Sequence, residues 1–174
     1  VASFVTHHAP PRWIHVPGIT NVRDLGGWRL EDGRRYKQGM LYRSSEMNSH
    51  VLIEDEGHKV MTEELGIRTD LDLRRTEEEE AHPVLDEDKV THINIPVFPY
   101  HHISDPEIGE AYRKVFDVLA DPDRYPILFH CWGGADRAGT LALLIGGLLG
   151  MREQDLIMDY ELTSLSIWGI RSRH

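Results

Sequence analysis

Apolar residues recur along this chain with two different periods, and the change of period marks out its elements. Residues 67–73 (IRTDLDL) and 90–97 (VTHINIPV) alternate apolar and polar positions, the signature of a strand. Residues 106–119 instead place Ala111, Val115, Phe116 and Leu119 at helical spacing on one face. An unbroken apolar run at 126–131 (PILFHC) predicts a buried central strand. A glycine turn follows it, then an apolar helix over 137–151 and a further helix over 154–166. Upstream, 19–24 and 40–43 read as short strands, with turns at Gly26-Gly27 and Asp32-Gly33 between them. Residues 54–65 read as a helix stopped by Gly66. Residues 1–16, with His7, His8, Pro10 and Pro11, form an extended leader. The run Glu77–Glu80 is a solvated charged face or a helix start.

Strands alternating with helices after residue 50 predict an α/β layered domain, and 174 residues suit one domain over 1–174. Composition narrows the class. At 40% hydrophobic and 28% charged residues the chain can build a packed core, which excludes a disordered segment. A net charge of −10 repels nucleic acid and anionic membranes, so any phosphate site must be a local concentration of positive potential. The longest uncharged apolar stretch, Leu141–Met151, is 11 residues, against about 20 for a bilayer span, so no membrane span is expected. One cysteine excludes an intrachain disulfide and leaves the compartment open, either cytoplasmic or secreted and periplasmic after removal of a leader. The start at Val1 and the end at Arg171-Ser172-Arg173-His174 leave room for segments missing from both ends.

The chemistry concentrates in FHCWGGADRAGT, residues 129–140. A buried strand would deliver Cys131 at its carboxyl end, where open α/β sheets place ligands. Trp132, Gly133, Gly134, Ala135 and Asp136 then make a five-residue loop into a helix N-terminus. Such a loop can point successive amides inward as an anion nest, with Arg137 as a planar fork for two phosphate oxygens. The same positive surroundings favour a thiolate over a thiol, so the loop that binds phosphate would also activate the nucleophile. Cys-x5-Arg is a weak signal by itself, and Cys131 could equally be a small buried hydrophobe. The flanking strand, helix and glycines are what strengthen it.

With its flanks, the segment resembles the signature loop of the protein tyrosine phosphatase superfamily. It is most similar to the bacterial branch whose loop reads approximately HCxxGKDRTG. Asn21-x-Arg23-Asp24-Leu25-Gly26-Gly27, Leu41-Tyr42-Arg43-Ser44 and Ile67-Arg68-Thr69-x-Leu71-Asp72-Leu73-Arg74, with Glu77 beyond, fit the same branch. The resemblance implies a central twisted, largely parallel sheet flanked by helices. It implies a phosphomonoesterase working through phosphocysteine without metal or other cofactor, on a phosphorylated protein or a small phosphomonoester. It also implies roles: Cys131 as nucleophile, Arg137 and the 132–137 amides as phosphate ligands, and Asp136 as general acid. Asp105, ahead of Pro106, is the alternative acid or simply a helix N-cap. His130 is an accessory that tunes the loop or a satisfied core histidine, and Arg23, Asp24 and Arg43 are scaffold or rim.

Two positions depart from the branch. Ala138 replaces the Ser or Thr that helps the thiolate leave, with Thr140 as the candidate substitute. Ala135 replaces a Lys, which weakens a phosphoinositide reading. Two rival functions remain open: a rhodanese-type sulfurtransferase, and a phosphate-binding module that turns over slowly or not at all. Metal-ligand spacing, G-x-G-x-x-G and a Walker lysine are all absent from the sequence.

Overall fold

The computed structural model describes residues 12–75 and 82–167. The His7-His8 pair, most of the extended leader, the Glu77–Glu80 run and the Arg171–His174 end lie outside the described residues.

Six strands form one sheet: β1 (Arg12–Trp13), β2 (Arg23–Asp24), β3 (Leu41–Ser44), β4 (Thr69–Asp72), β5 (Thr91–Asn94) and β6 (Ile127–His130). Their order across the sheet is β1-β2-β3-β6-β4-β5, with β3, β6, β4 and β5 parallel and β1-β2 added antiparallel at one edge. The apolar run at 126–131 therefore becomes the strand flanked on both sides by parallel neighbours, as its composition predicts. Ser44 and Asp72 stand in register on either side of His130, so three strands end level where Cys131 begins.

Alternation along β6 divides the core. Ile127, Phe129 and Cys131 pack with Leu71, Tyr112, Val115 and Leu141, beneath α2 (Pro106–Ala120) and α3 (Arg137–Leu149). Leu128 faces the other way, onto Tyr42, Val60, Met61 and Ile67 beside α1 (Asp55–Lys59). Full burial of a side chain such as Phe129 stabilises the fold by about 1.5–3 kcal/mol.

Several elements are shorter or more mixed than the pattern suggests. Asn21 takes φ +61, which breaks the extended run at 19–24 and leaves two paired residues. The 54–65 helix is α-helical over Asp55–Lys59 and widens to a π-turn over Val60–Glu64 before Gly66 at φ +63. The last helix, α4 (Glu153–Glu161), tightens to 3-10 geometry over Leu162–Leu165. Among the described residues, no helix is long and apolar enough to cross a membrane.

Candidate active site

The loop from Cys131 to Arg137 is shaped by where its carbonyls go. The Trp132 carbonyl accepts from the Glu46 amide at 2.9 Å. Asn21 Nδ2 donates to the carbonyls of Gly133 and Gly134, each at 3.0 Å, and Arg43 Nη2 reaches the Gly134 carbonyl at 2.7 Å. Three consecutive carbonyls are thus drawn onto the scaffold. In a trans peptide the N–H points opposite to the C=O, so the amides of Gly133, Gly134 and Ala135 turn to the other side. That is how an anion nest is made. Gly134 sits at φ +66 with its backbone against Ser44; a Cβ there would lie 2.3 Å from the Ser44 carbonyl oxygen. Only glycine fits.

The donors are themselves fixed by a buried carboxylate. Asp159 of α4 accepts from Arg23 Nε at 3.0 Å and from Arg43 Nη1 at 2.8 Å. Arg23 Nη1 in turn donates to Asn21 Oδ1 at 2.6 Å. Burial alone would raise the Asp159 pKa, but the two guanidiniums outweigh it and hold it below the usual value. Arg43 is pushed down to about 10 by its complete burial and by Arg23, against the opposing pull of Asp159 and Cys131. Arg23 and Arg43 are 1% and 0% exposed, so both lie inside the scaffold and not on a rim. Asp24 braces the neighbouring turns through the amides of Gly26 and Gly39 and pairs with Arg12.

Cys131 lies at the loop's base and Arg137 opens α3, half-buried. Both act on the hydroxyl of Tyr112, whose pKa burial raises first; Cys131 adds to the rise and Arg137 opposes it. Behind the cysteine, His130 is fully buried between two carboxylates, with Nε2 3.1 Å from Asp70 Oδ1 and Nδ1 4.0 Å from Asp72 Oδ1. Burial would lower its pKa, yet Asp70 and Asp72 together raise it. His92 shares Asp70 at 3.1 Å, and Arg74 clasps Asp72 with Nε and Nη2 while touching Glu46. Trp132 donates from Nε1 to His50 at 2.6 Å on one flank.

The two candidate acids sit differently. Asp136 ends the loop, and its Oδ1 accepts a 2.5 Å hydrogen bond from the Tyr100 hydroxyl. Asp105 precedes α2, is well exposed, and lies 3.5 Å from His102. Its side chain makes no cap bond to the helix amides. Thr140 is buried on the first turn of α3 and its hydroxyl oxygen accepts from the Tyr100 amide at 3.3 Å. Ala138 is fully buried. Glu46, Asp70, His92, Tyr100, Asp159 and Tyr160 carry no local signal of a site. Asn21 falls inside the Asn-x-Arg-Asp motif that fits the same branch as the loop.

Among the described residues, no three His, Cys, Asp or Glu side chains converge as metal ligands. A groove of about 510 Å³ lined by Tyr36, Phe116, Leu119 and Leu148 opens at the other end of the sheet. Neither Cys131 nor Arg137 lines it.

A cysteine at the end of a central parallel strand is followed by a loop whose carbonyls turn onto the scaffold and by an arginine that opens a helix, all on an α/β fold. Comparison with known proteins assigns the family. A model of the tyrosine phosphatase family matches residues 14–174, and the chain belongs to that family. A provisionally named tyrosine-protein phosphatase of Cupriavidus necator is 30% identical over 82% of this chain and 59% of its own length. A tyrosine-protein phosphatase of Nostoc commune is 28% identical over 60% of this chain and 43% of its own. The chain thus spans about half the length of these relatives. The core catalytic domain of the PP-IP phosphatase Siw14 from S. cerevisiae superposes with a TM-score of 0.53 at 16% identity, over 87% of this chain and 79% of that one. That likeness establishes the cysteine-phosphatase type of fold.

Proposed function

We propose that the chain is a phosphatase domain that hydrolyses phosphomonoesters of tyrosine or of small aryl alcohols through a phosphocysteine. The observation that supports this most is the scaffold's hold on the carbonyls of Trp132, Gly133 and Gly134, which frees a row of amides for an anion beside Cys131. In the first step Cys131 Sγ forms a bond to phosphorus while the bond to the leaving oxygen breaks, and Asp136 gives that oxygen a proton. In the second, water attacks phosphorus as the S–P bond breaks, Asp136 takes the proton, and the cysteine leaves as thiolate. The loop amides and Arg137 hold the charged equatorial oxygens throughout.

Asp136 is favoured over Asp105 as the acid because it belongs to the loop itself, while Asp105 faces solvent beside His102. A slowly releasing enzyme is the second reading. Ala138 offers no hydroxyl next to Arg137, and the Thr140 hydroxyl, which accepts from the Tyr100 amide, stands two residues further along α3. Stopped-flow turnover of 4-nitrophenyl phosphate separates the two: a burst followed by a slower steady state marks accumulation of phosphoenzyme. Cys131→Ser is expected to abolish turnover and retain phosphate binding. Full activity in that variant overturns the nucleophile assignment.

A further inference from the structure

The segment before α2 reaches across the mouth of the loop, and one residue ties it down. Tyr100 is 44% exposed and adopts φ +60, a left-handed conformation that costs a bulky residue about 1–3 kcal/mol unless its surroundings enforce it. Three contacts enforce it. The Tyr100 amide donates to Thr140 Oγ1 at 3.3 Å, its hydroxyl donates to Asp136 Oδ1 at 2.5 Å, and the same hydroxyl lies 2.8 Å from the Tyr160 hydroxyl of α4. The direction of the chain follows from counting protons. A carboxylate accepts only, and Tyr100 has one hydroxyl proton, which goes to Asp136. Tyr160 must then be the donor to Tyr100. Such consecutive bonds strengthen one another.

Resting on the assignment of Asp136 as general acid and base, we propose that Tyr100 is the positioning residue of the proton-transfer step, held in place by Tyr160. A carboxyl group whose Oδ1 accepts from a phenol keeps its transferable proton on Oδ2. The Tyr100 bond therefore fixes which oxygen faces the leaving group and stops the carboxyl from rotating. The proton passes from Oδ2 to the leaving oxygen as the P–O bond breaks. It is replaced from the attacking water as the S–P bond breaks, so Asp136 ends each cycle as it began. Tyr100 neither gains nor loses a proton overall. The strained backbone at Tyr100 is the conformation that carries its hydroxyl to Asp136 while its amide stays on Thr140.

The test compares two substrates of the intact chain: 4-nitrophenyl phosphate, whose leaving group departs readily as an anion, and phenyl phosphate, which needs the acid. Tyr100→Phe keeps the ring and loses the bond. It is expected to lower kcat/KM, which reports only the first, acid-assisted step, by about tenfold or more on phenyl phosphate, the smaller part of what acid catalysis contributes, and by less than about threefold on 4-nitrophenyl phosphate. Tyr160→Phe should shift the same ratio in the same direction by a smaller factor. Asp136→Asn should show the larger version of this selectivity, and adding Tyr100→Phe to it should cost nothing more. Equal losses on both substrates, or losses that multiply in the double variant, would show that Tyr100 merely packs and would overturn the inference. If Asp136→Asn lowers kcat/KM equally on both substrates, the acid assignment fails first, so the two failures are told apart.

Discussion

Asp159 acts on the loop's shape only through the two arginines it holds, and its removal has a calculable effect. It is 6% exposed and serves two guanidiniums that are themselves sealed from water, Arg23 at 3.0 Å and Arg43 at 2.8 Å. Asp159→Ala leaves both cations buried without their anion. Removing one partner of a buried pair costs about 3–5 kcal/mol, and with two cations orphaned the upper end applies. For a chain of this size each kcal/mol lowers Tm by roughly 2–4 °C, so a fall of about 10–20 °C is expected. Urea unfolding at pH 7 measures the free energy, and thermal melts the shift. Because Arg43 and the Arg23–Asn21 pair hold the loop carbonyls, kcat/KM should fall at least about tenfold even where the variant is fully folded, equivalent to about 1.4 kcal/mol of lost transition-state binding. Asp159→Asn, which keeps an acceptor oxygen but no charge, should fall between. A loss below about 1 kcal/mol in Asp159→Ala, the size of a surface ion pair, would mean that the guanidiniums are solvated and would refute the reasoning.

Gly134→Ala places a Cβ 2.3 Å from the Ser44 carbonyl oxygen at φ +66, so turnover should drop by roughly a hundredfold or more while circular dichroism stays native, since one oxyanion-type donor is commonly worth that much. Retention of more than half the activity would show that the loop tolerates a different path. Asp70→Asn tests the buried network behind the nucleophile through pH. The raised pKa of His130 gives stability that is full below about 6.5 and lost as pH rises through the raised value, while the lowered pKa of Asp70 gives stability that is full above about 3.9 and lost as pH falls. The deficit of the variant in urea unfolding should therefore be largest between about pH 4 and 6.5 and shrink toward pH 9; parallel pH profiles would contradict it. Gly147→Ala, on the helical stretch of α3 with nothing within 4 Å of the added Cβ, should stabilise by about 0.5–1 kcal/mol, seen as a small rise in Tm.

Local pattern made the core of this fold legible. The run at 126–131 has one natural home, a strand covered on both faces, and the glycines after it predict the turn that delivers Arg137 to a helix start. The helix over 106–119 was equally plain, because Pro106 opens it and its apolar spacing is regular. β4 was only half legible. Its alternation identifies a strand, but alternation suggests one wet face, and Thr69, Asp70, Leu71 and Asp72 are all buried. The reason is that Asp70 and Asp72 meet His130, His92 and Arg74, and of these only Arg74 is near in sequence. A carboxylate reads as exposed until its partner is known. Tyr100 was illegible for the same reason: nothing in the segment YHHISDP announces that a hydroxyl will find a carboxylate thirty-six residues later.

The net charge of −10 poses a question for an anion site that the geometry answers. The two buried arginines beside the loop are engaged by the scaffold: Asp159 pairs with both, one carboxylate against two guanidiniums, Arg43 Nη2 donates to the Gly134 carbonyl, and Arg23 donates to Asn21, the Asp159 carbonyl and Thr163. On the proposed reading an incoming phosphate meets a row of amides and Arg137, acting at hydrogen-bond range. Distant carboxylates are screened over a Debye length of about 8 Å at physiological salt, so the overall charge is weak where the amides are strong. On that reading the local positive potential comes from oriented peptide dipoles, from Arg137 and from the one guanidinium charge that Asp159 leaves unbalanced. The loop's shape accordingly depends on residues as far apart in the chain as Asn21, Glu46 and Asp159, each of which fixes the direction of a peptide group, directly or through an arginine.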